Sequence, residues 1–164
     1  MFKVPAGSVE EYLRFDPARE HDLRTLDGLI RGAAPGLLRW FVPGTPDGQP
    51  GMTMTMIGYG QFQYSVKSSP VPVTWPILGL ALQKNYISLY NSAHGNGPPF
   101  TCAYAERLGR ARVSKKGVVT FSALHDMNLQ ALTEMITAIE ASHCLAKVAR
   151  LTSYQSPNTP PEPP

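Results

Sequence analysis

The sequence predicts an α+β fold: one domain over residues 1–151, with a mainly antiparallel sheet and N- and C-terminal helices packed on one face. Three observations carry the prediction. Apolar residues recur at helical spacing near both ends of the chain. Between them lies a run of short segments that alternate with period two. The connections between those segments are short and rich in Gly and Pro, which favours antiparallel pairing over crossovers.

The elements follow in order. Ser8 and Glu11 have capping-box spacing, so a short helix is expected over residues 9–14. Asp16-Pro17 restarts a helix, with Asp as N-cap and Pro at its first position. Leu23, Leu26 and Ile30 share its apolar face, and Glu20/Arg24 and Asp27/Arg31 are acid-before-base pairs four apart. Pro35-Gly36 ends it near Ala33. Residues 37–42 read as a strand, and 43–51 as a loop with three prolines and three glycines. Met52, Met54 and Met56 alternate with Thr53, Thr55 and Ile57 as a strand does; this methionine stripe reads as core. Phe62, Tyr64 and Val66 alternate likewise, after a bend at Gly58 and Gly60. Residues 68–76 read as a loop.

Residues 77–82 are apolar on both faces, as a central strand is. Gln83-Lys84-Asn85 is a tight turn, and residues 86–90 return as the partner strand. After a loop over 93–99, a helix is expected over 100–108, stopped by Gly109, and a short strand over 118–121. Asn128 caps the last long helix, whose stripe is Leu129, Leu132, Met135, Ile136 and Ile139, with Met127 stapled onto Leu132. Residues 152–164 form a Pro-rich tail with little to bury, expected to be disordered or extended.

Composition bounds the function. Charged residues are 16% of the chain, against an average near 25%. The surface is therefore unusually neutral, and an apolar patch on it would mark a partner or ligand site. The first twelve residues hold no signal-peptide core, and no run approaches a membrane span. A cytoplasmic protein with Cys102 and Cys144 reduced is expected, without a membrane partner.

No catalytic constellation is legible. His94, His125 and His143 lack the paired spacing of zinc motifs, so no metal is assigned and the histidines read as solvated or capping. Cys144 follows His143, but neighbours on a helix point about 100° apart, so Cys144 reads as a buried apolar side chain and not a nucleophile. Arg107, Arg110, Arg112, Lys115 and Lys116 put five positive charges in ten residues, opposed there by Glu106. The cluster reads first as a solvated turn, and second as a patch for an acidic partner. No aromatic residues interleave with it, which argues against nucleic acid. The candidate ligand-binding residues are Trp40, Tyr64, Lys84, Tyr86 and Tyr90, because aromatic area with hydroxyl donors is what small-ligand sites present. Their bland alternative is a half-buried sheet face under a helix.

Four pieces of the chain, in order, resemble the YdhG-like family of small, mostly uncharacterised bacterial domains. They are the N-terminal helix ending in Ala33-Ala34-Pro35, then Arg39-Trp40-Phe41-Val42-Pro43, then residues 80–90 with Lys84-Asn85-Tyr86-Ile87-Ser88-Leu89-Tyr90, and Lys115-Lys116-Gly117 through the final helix. The likeness spans residues 8–141. It departs after Pro43, where the family places an aromatic residue and this chain has Gly44-Thr45-Pro46. The resemblance implies a small α+β domain without an agreed activity; one branch is described as a frataxin-like intracellular iron chaperone. Iron enters by that resemblance alone. Hard cations take oxygen ligands, and the acids here are scattered, with only Glu10-Glu11 adjacent. The leading expectation is a non-enzymatic domain binding a small ligand or a protein. Its alternatives are the iron chaperone and an electrostatic module using the basic cluster. Monomer and homodimer are both compatible with the sequence.

Overall fold

The computed structural model describes residues 2–49, 51–67, 69–93 and 98–153, with side-chain environments through Cys144. Three helices, α1 (Val9–Arg14), α2 (Glu20–Ala33) and α3 (Leu129–Ser153), accompany eight strands. The strands are β1 (Arg39–Val42), β2 (Met56–Tyr59), β3 (Phe62–Tyr64), β4 (Val73–Trp75), β5 (Leu78–Leu82), β6 (Ile87–Asn91), β7 (Arg112–Val113) and β8 (Val119–Phe121). Six of them form one antiparallel sheet in the order β1-β2-β5-β6-β8-β7. The expected α+β class is therefore what the chain adopts. No helix among the described residues is long and apolar enough to cross a membrane.

Alternation along the strands sorts the sheet into two faces. Ile57, Tyr59, Leu78, Leu80, Leu82, Ile87, Leu89, Val119 and Phe121 join Leu23, Leu26, Ile30 and, from α3, Leu132, Met135, Ile136 and Ile139 in the main core. The positions between them look the other way and carry a smaller cluster of Val42, Met54, Met56 and Ala81, flanked by Trp40, Trp75 and Tyr90. Among the described residues no helix contributes to this second cluster.

β3 and β4 form a two-stranded ribbon that continues the β2/β5 pairing without a register shift. Tyr59 opposes Leu78, and three residues further along each chain Phe62 opposes Trp75. Gly60, at φ +63°, makes the bend that a Cβ-bearing residue would resist. The segment expected as a loop over 68–76 thus contains a strand: Val73-Thr74-Trp75 is β-prone and bounded by prolines.

Several expectations are corrected. α2 starts at Glu20; Asp16 instead makes an Asx turn, its Oδ1 accepting from the Ala18 amide at 3.0 Å. Residues 100–104 form only a 3-10 turn, not a helix to 108. β7 was not expected, because two residues give no periodicity to read. Leu129 is exposed, although Ala131 and Leu132 of the same turn are buried in the core. Cys144 is exposed, not buried, and α3 continues past it to Ser153. Ser8 caps α1 as expected, but Glu11 reaches back to the Gly7 amide. Residues 154–164 of the expected tail lie outside the described residues.

Two tyrosines fasten helices to the sheet. The Tyr59 hydroxyl donates to Asp27 Oδ1 at 2.8 Å, and Arg39 reaches Asp27 Oδ2 at 2.6 Å. The Tyr12 hydroxyl accepts from the Leu82 amide at 2.7 Å and donates to the Thr55 carbonyl at 3.2 Å. Thr55 and Leu82 would be the next pair but one of the β2/β5 ladder beyond Ile57 and Leu80. The phenol therefore sits where a ladder bond would have formed, and residues 52–55 are released from β5. Burial pushes both phenols above the ordinary tyrosine value, and Asp27 adds to the shift at Tyr59. A phenol raised in the folded state contributes stability that is complete below the unfolded value of about 10 and is lost at higher pH. The urea midpoint is expected to hold up to about pH 10 and fall above it; a midpoint flat through that range would contradict the burial of these hydroxyls.

Candidate functional site

The second face is built from two cross-strand rows. One runs Trp40, Gly58, Gly79, Tyr90 from β1 to β6. The other runs Ala81, Ser88, Thr120, Arg112 from β5 to β7. The glycines set the shape of the first row. A Cβ on Gly58 would lie 2.8 Å from Trp40 Nε1 and 2.9 Å from Val42 Cγ2. A Cβ on Gly79 would lie 2.5 Å from Met56 Sδ. The indole thus rests on bare backbone, and its Nε1–H donates to the Gly60 carbonyl at 2.9 Å. Trp40 is a fixed platform. Gly58→Ala is expected to cost about 1–3 kcal/mol by forcing the indole off its seat. The check is urea unfolding together with tryptophan emission; an unchanged emission maximum would contradict the packing.

Two clefts open on this face, the first of them walled in part by Trp40. The first, about 530 Å³, lies between β1, the β3/β4 ribbon and the Pro/Gly loop. Trp40, Val42, Met52, Tyr64, Val73 and Trp75 are among its walls, and among the described residues no charged one lines it. Tyr64 and Val73 oppose each other on the ribbon, so they present one face to it. The second, about 540 Å³, is lined by Phe2, Met52, Met54, Gln83, Lys84, Asn85, Tyr86 and Tyr90. It opens where Tyr12 has released residues 52–55 from β5. Met52 belongs to both clefts. Met54 is buried between them and accepts from Gln83 Nε2 at 3.0 Å.

The turn carrying Lys84, Asn85 and Tyr86 is held from behind. Arg19 donates to the Gln83 carbonyl at 2.7 Å and the Lys84 carbonyl at 2.8 Å. Tyr86 is 42% exposed, so its ring is available to a ligand. Burial pushes the Tyr90 phenol above its ordinary value, opposed by the Ser88 side chain. Ser88 Oγ itself is buried without a hydrogen bond of ordinary geometry.

The five candidate ligand residues therefore divide, Trp40 and Tyr64 in the first cleft and Lys84, Tyr86 and Tyr90 in the second. Trp75 and Met52 were not anticipated as site residues. Trp75 sat in a segment read as loop, and only its β-prone neighbours Val73 and Thr74 signalled otherwise. Met52, read as core, is 37% exposed.

The basic cluster does not act as one patch. Arg107 is ion-paired with Glu134 and stacks over the Tyr104 ring at 5.4 Å. Lys115 and Lys116 are exposed on the turn between β7 and β8. Arg110 and Arg112 line a cleft of about 420 Å³ with Tyr86, Thr120, Ser122 and Asp126. Arg110 lies 3.8 Å from Asp126. Glu10 is engaged by Arg14 and Arg24, and Arg24 holds its carboxyl below the ordinary value. Among the described residues no three His, Cys, Asp or Glu side chains gather as a metal site would need. His125 is exposed beside Asp126, His143 lines a small cleft with Leu38 and Trp40, and His94 lies outside the described residues.

Comparison with known protein families, curated proteins and solved structures finds no match for this chain. The YdhG-like likeness rests on the residues quoted for it.

Proposed function

We propose that the chain is a non-enzymatic binding domain that takes a small, largely apolar ligand on the second face of its sheet. The observation that supports this is the seated Trp40 in the wall of a cleft of about 530 Å³, which shares Met52 with a second, aromatic-walled cleft of about 540 Å³ on the same face. Ligand pockets are typically about 300–1,000 Å³, mainly apolar, with few polar groups. A Trp held by backbone below and a hydrogen bond at its edge is ordered before the ligand arrives, which lowers the entropic cost of binding. A cytoplasmic setting belongs to the same reading.

The test is a screen of small aromatic and aliphatic compounds by thermal shift, followed by titration against Trp40→Ala and Tyr90→Ala. Each variant is expected to weaken any hit by tenfold or more, a loss of about 1.4 kcal/mol. Hits that bind both variants as tightly as the parent protein would place the ligand elsewhere.

A further inference from the structure

Resting on that reading, we infer that the ligand is an elongated amphipathic anion, such as a long-chain carboxylate, lying across the sheet with its acid group at Arg112 and Arg110. Three clefts share walls in sequence. Met52 joins the first to the second, and Tyr86 joins the second to the one that holds the two arginines. On this inference the three clefts serve as one trough from β1 to β7. Five inter-strand steps separate those strands, about 24 Å at the usual spacing.

The polarity of the trough is graded. The β1 end is walled by Trp40, Val42, Val66, Val73, Trp75 and Tyr64, with no charge among the described residues. The middle has Met52, Met54, Tyr86 and Tyr90, with Lys84 at its rim. The β7 end has two guanidiniums beside the Thr120 and Ser122 hydroxyls, against one carboxylate, Asp126. The 3.8 Å approach of Arg110 to Asp126 is exposed, with the Arg110 side chain 87% accessible. Such a pair is weak and leaves the guanidinium free to turn to a ligand. Arg112 projects from the row Ala81-Ser88-Thr120, which fixes its direction. A guanidinium prefers a planar carboxylate that it can grip with two donors. A ligand apolar throughout would leave this end unused, and a short anion would leave the tryptophan end empty.

Both tryptophans of the chain line this first cleft, so intrinsic emission responds when the far end of the ligand occupies it. Hexadecanoate, its methyl ester and octanoate are titrated below their aggregation limits into the parent protein and into Arg110→Ala/Arg112→Ala. Hexadecanoate is expected to shift the emission and to bind at least tenfold tighter than the ester, and the double variant should remove that advantage. Equal affinity for acid and ester, or an acid preference that survives the double variant, overturns the inference while leaving the binding face intact. An octanoate response as large as that of hexadecanoate also overturns it, because the short chain does not reach the tryptophans. If none of these compounds nor any neutral aromatic one moves the emission, the reading of the face as a ligand site fails with it.

Discussion

Asp27→Ala is expected to lose about 3–5 kcal/mol of stability, the range for removing one partner of a buried charge pair. Asp27 is 5% exposed and receives Tyr59 at 2.8 Å and Arg39 at 2.6 Å, with Arg31 at 3.7 Å. Deletion leaves a buried phenol without its acceptor and an arginine without its counter-charge. Arg39 is one-third exposed and can turn to water, so the loss should fall toward the lower end. Asp27→Asn keeps an acceptor for Tyr59 and should lose clearly less. Urea unfolding decides it: a loss under about 1 kcal/mol, as for an exposed pair, would mean that this carboxylate does not clamp α2 to β1 and β2.

Tyr12→Phe is expected to cost about 1–3 kcal/mol, the penalty of leaving buried polar groups unpaired. Phenylalanine keeps the ring, and so the gap between residues 52–55 and β5, but strands the Leu82 amide and the Thr55 carbonyl. Amide exchange at Leu82 should accelerate with the loss of stability. Unchanged exchange there would show that the two strands close the ladder themselves. In that case the second cleft would narrow as well, since Met52 and Met54 follow Thr55.

What was legible in the sequence was whatever a single periodicity dictates. The apolar spacing of Leu23, Leu26 and Ile30 places α2, and the two-sided apolar run 78–82 makes β5 central. Short-range chemistry was less reliable. Asp16-Pro17 has the composition of a helix start, yet the Asp side chain closes a turn of its own and Arg19 takes the capping position. Asp27 looked like half of a surface ion pair with Arg31; nothing local shows that Tyr59 and Arg39 arrive from the sheet to bury it. The aromatic residues of the site were legible as types, but their grouping was not. Trp40 and Tyr90 fall on one row because the register of four strands aligns them through Gly58 and Gly79, which no local pattern shows. The basic run looked like one feature because its members are close in sequence. Glu134, from the last helix, takes Arg107 out of it.

The unbroken register from β2/β5 into β3/β4 limits how this protein can vary in length. Tyr64 and Trp75 owe their aim to the same ladder that sets Tyr59 and Leu78. Residues added to the connection between β3 and β4 are far along that ladder from the platform and leave the pairing intact. One residue added or removed at Gly60-Gln61 or at Pro76-Ile77 would reverse the inward and outward sides of the ribbon, turning its aromatic wall away from Trp40. Insertions should therefore be tolerated at the tip of the hairpin and excluded from its two waist positions.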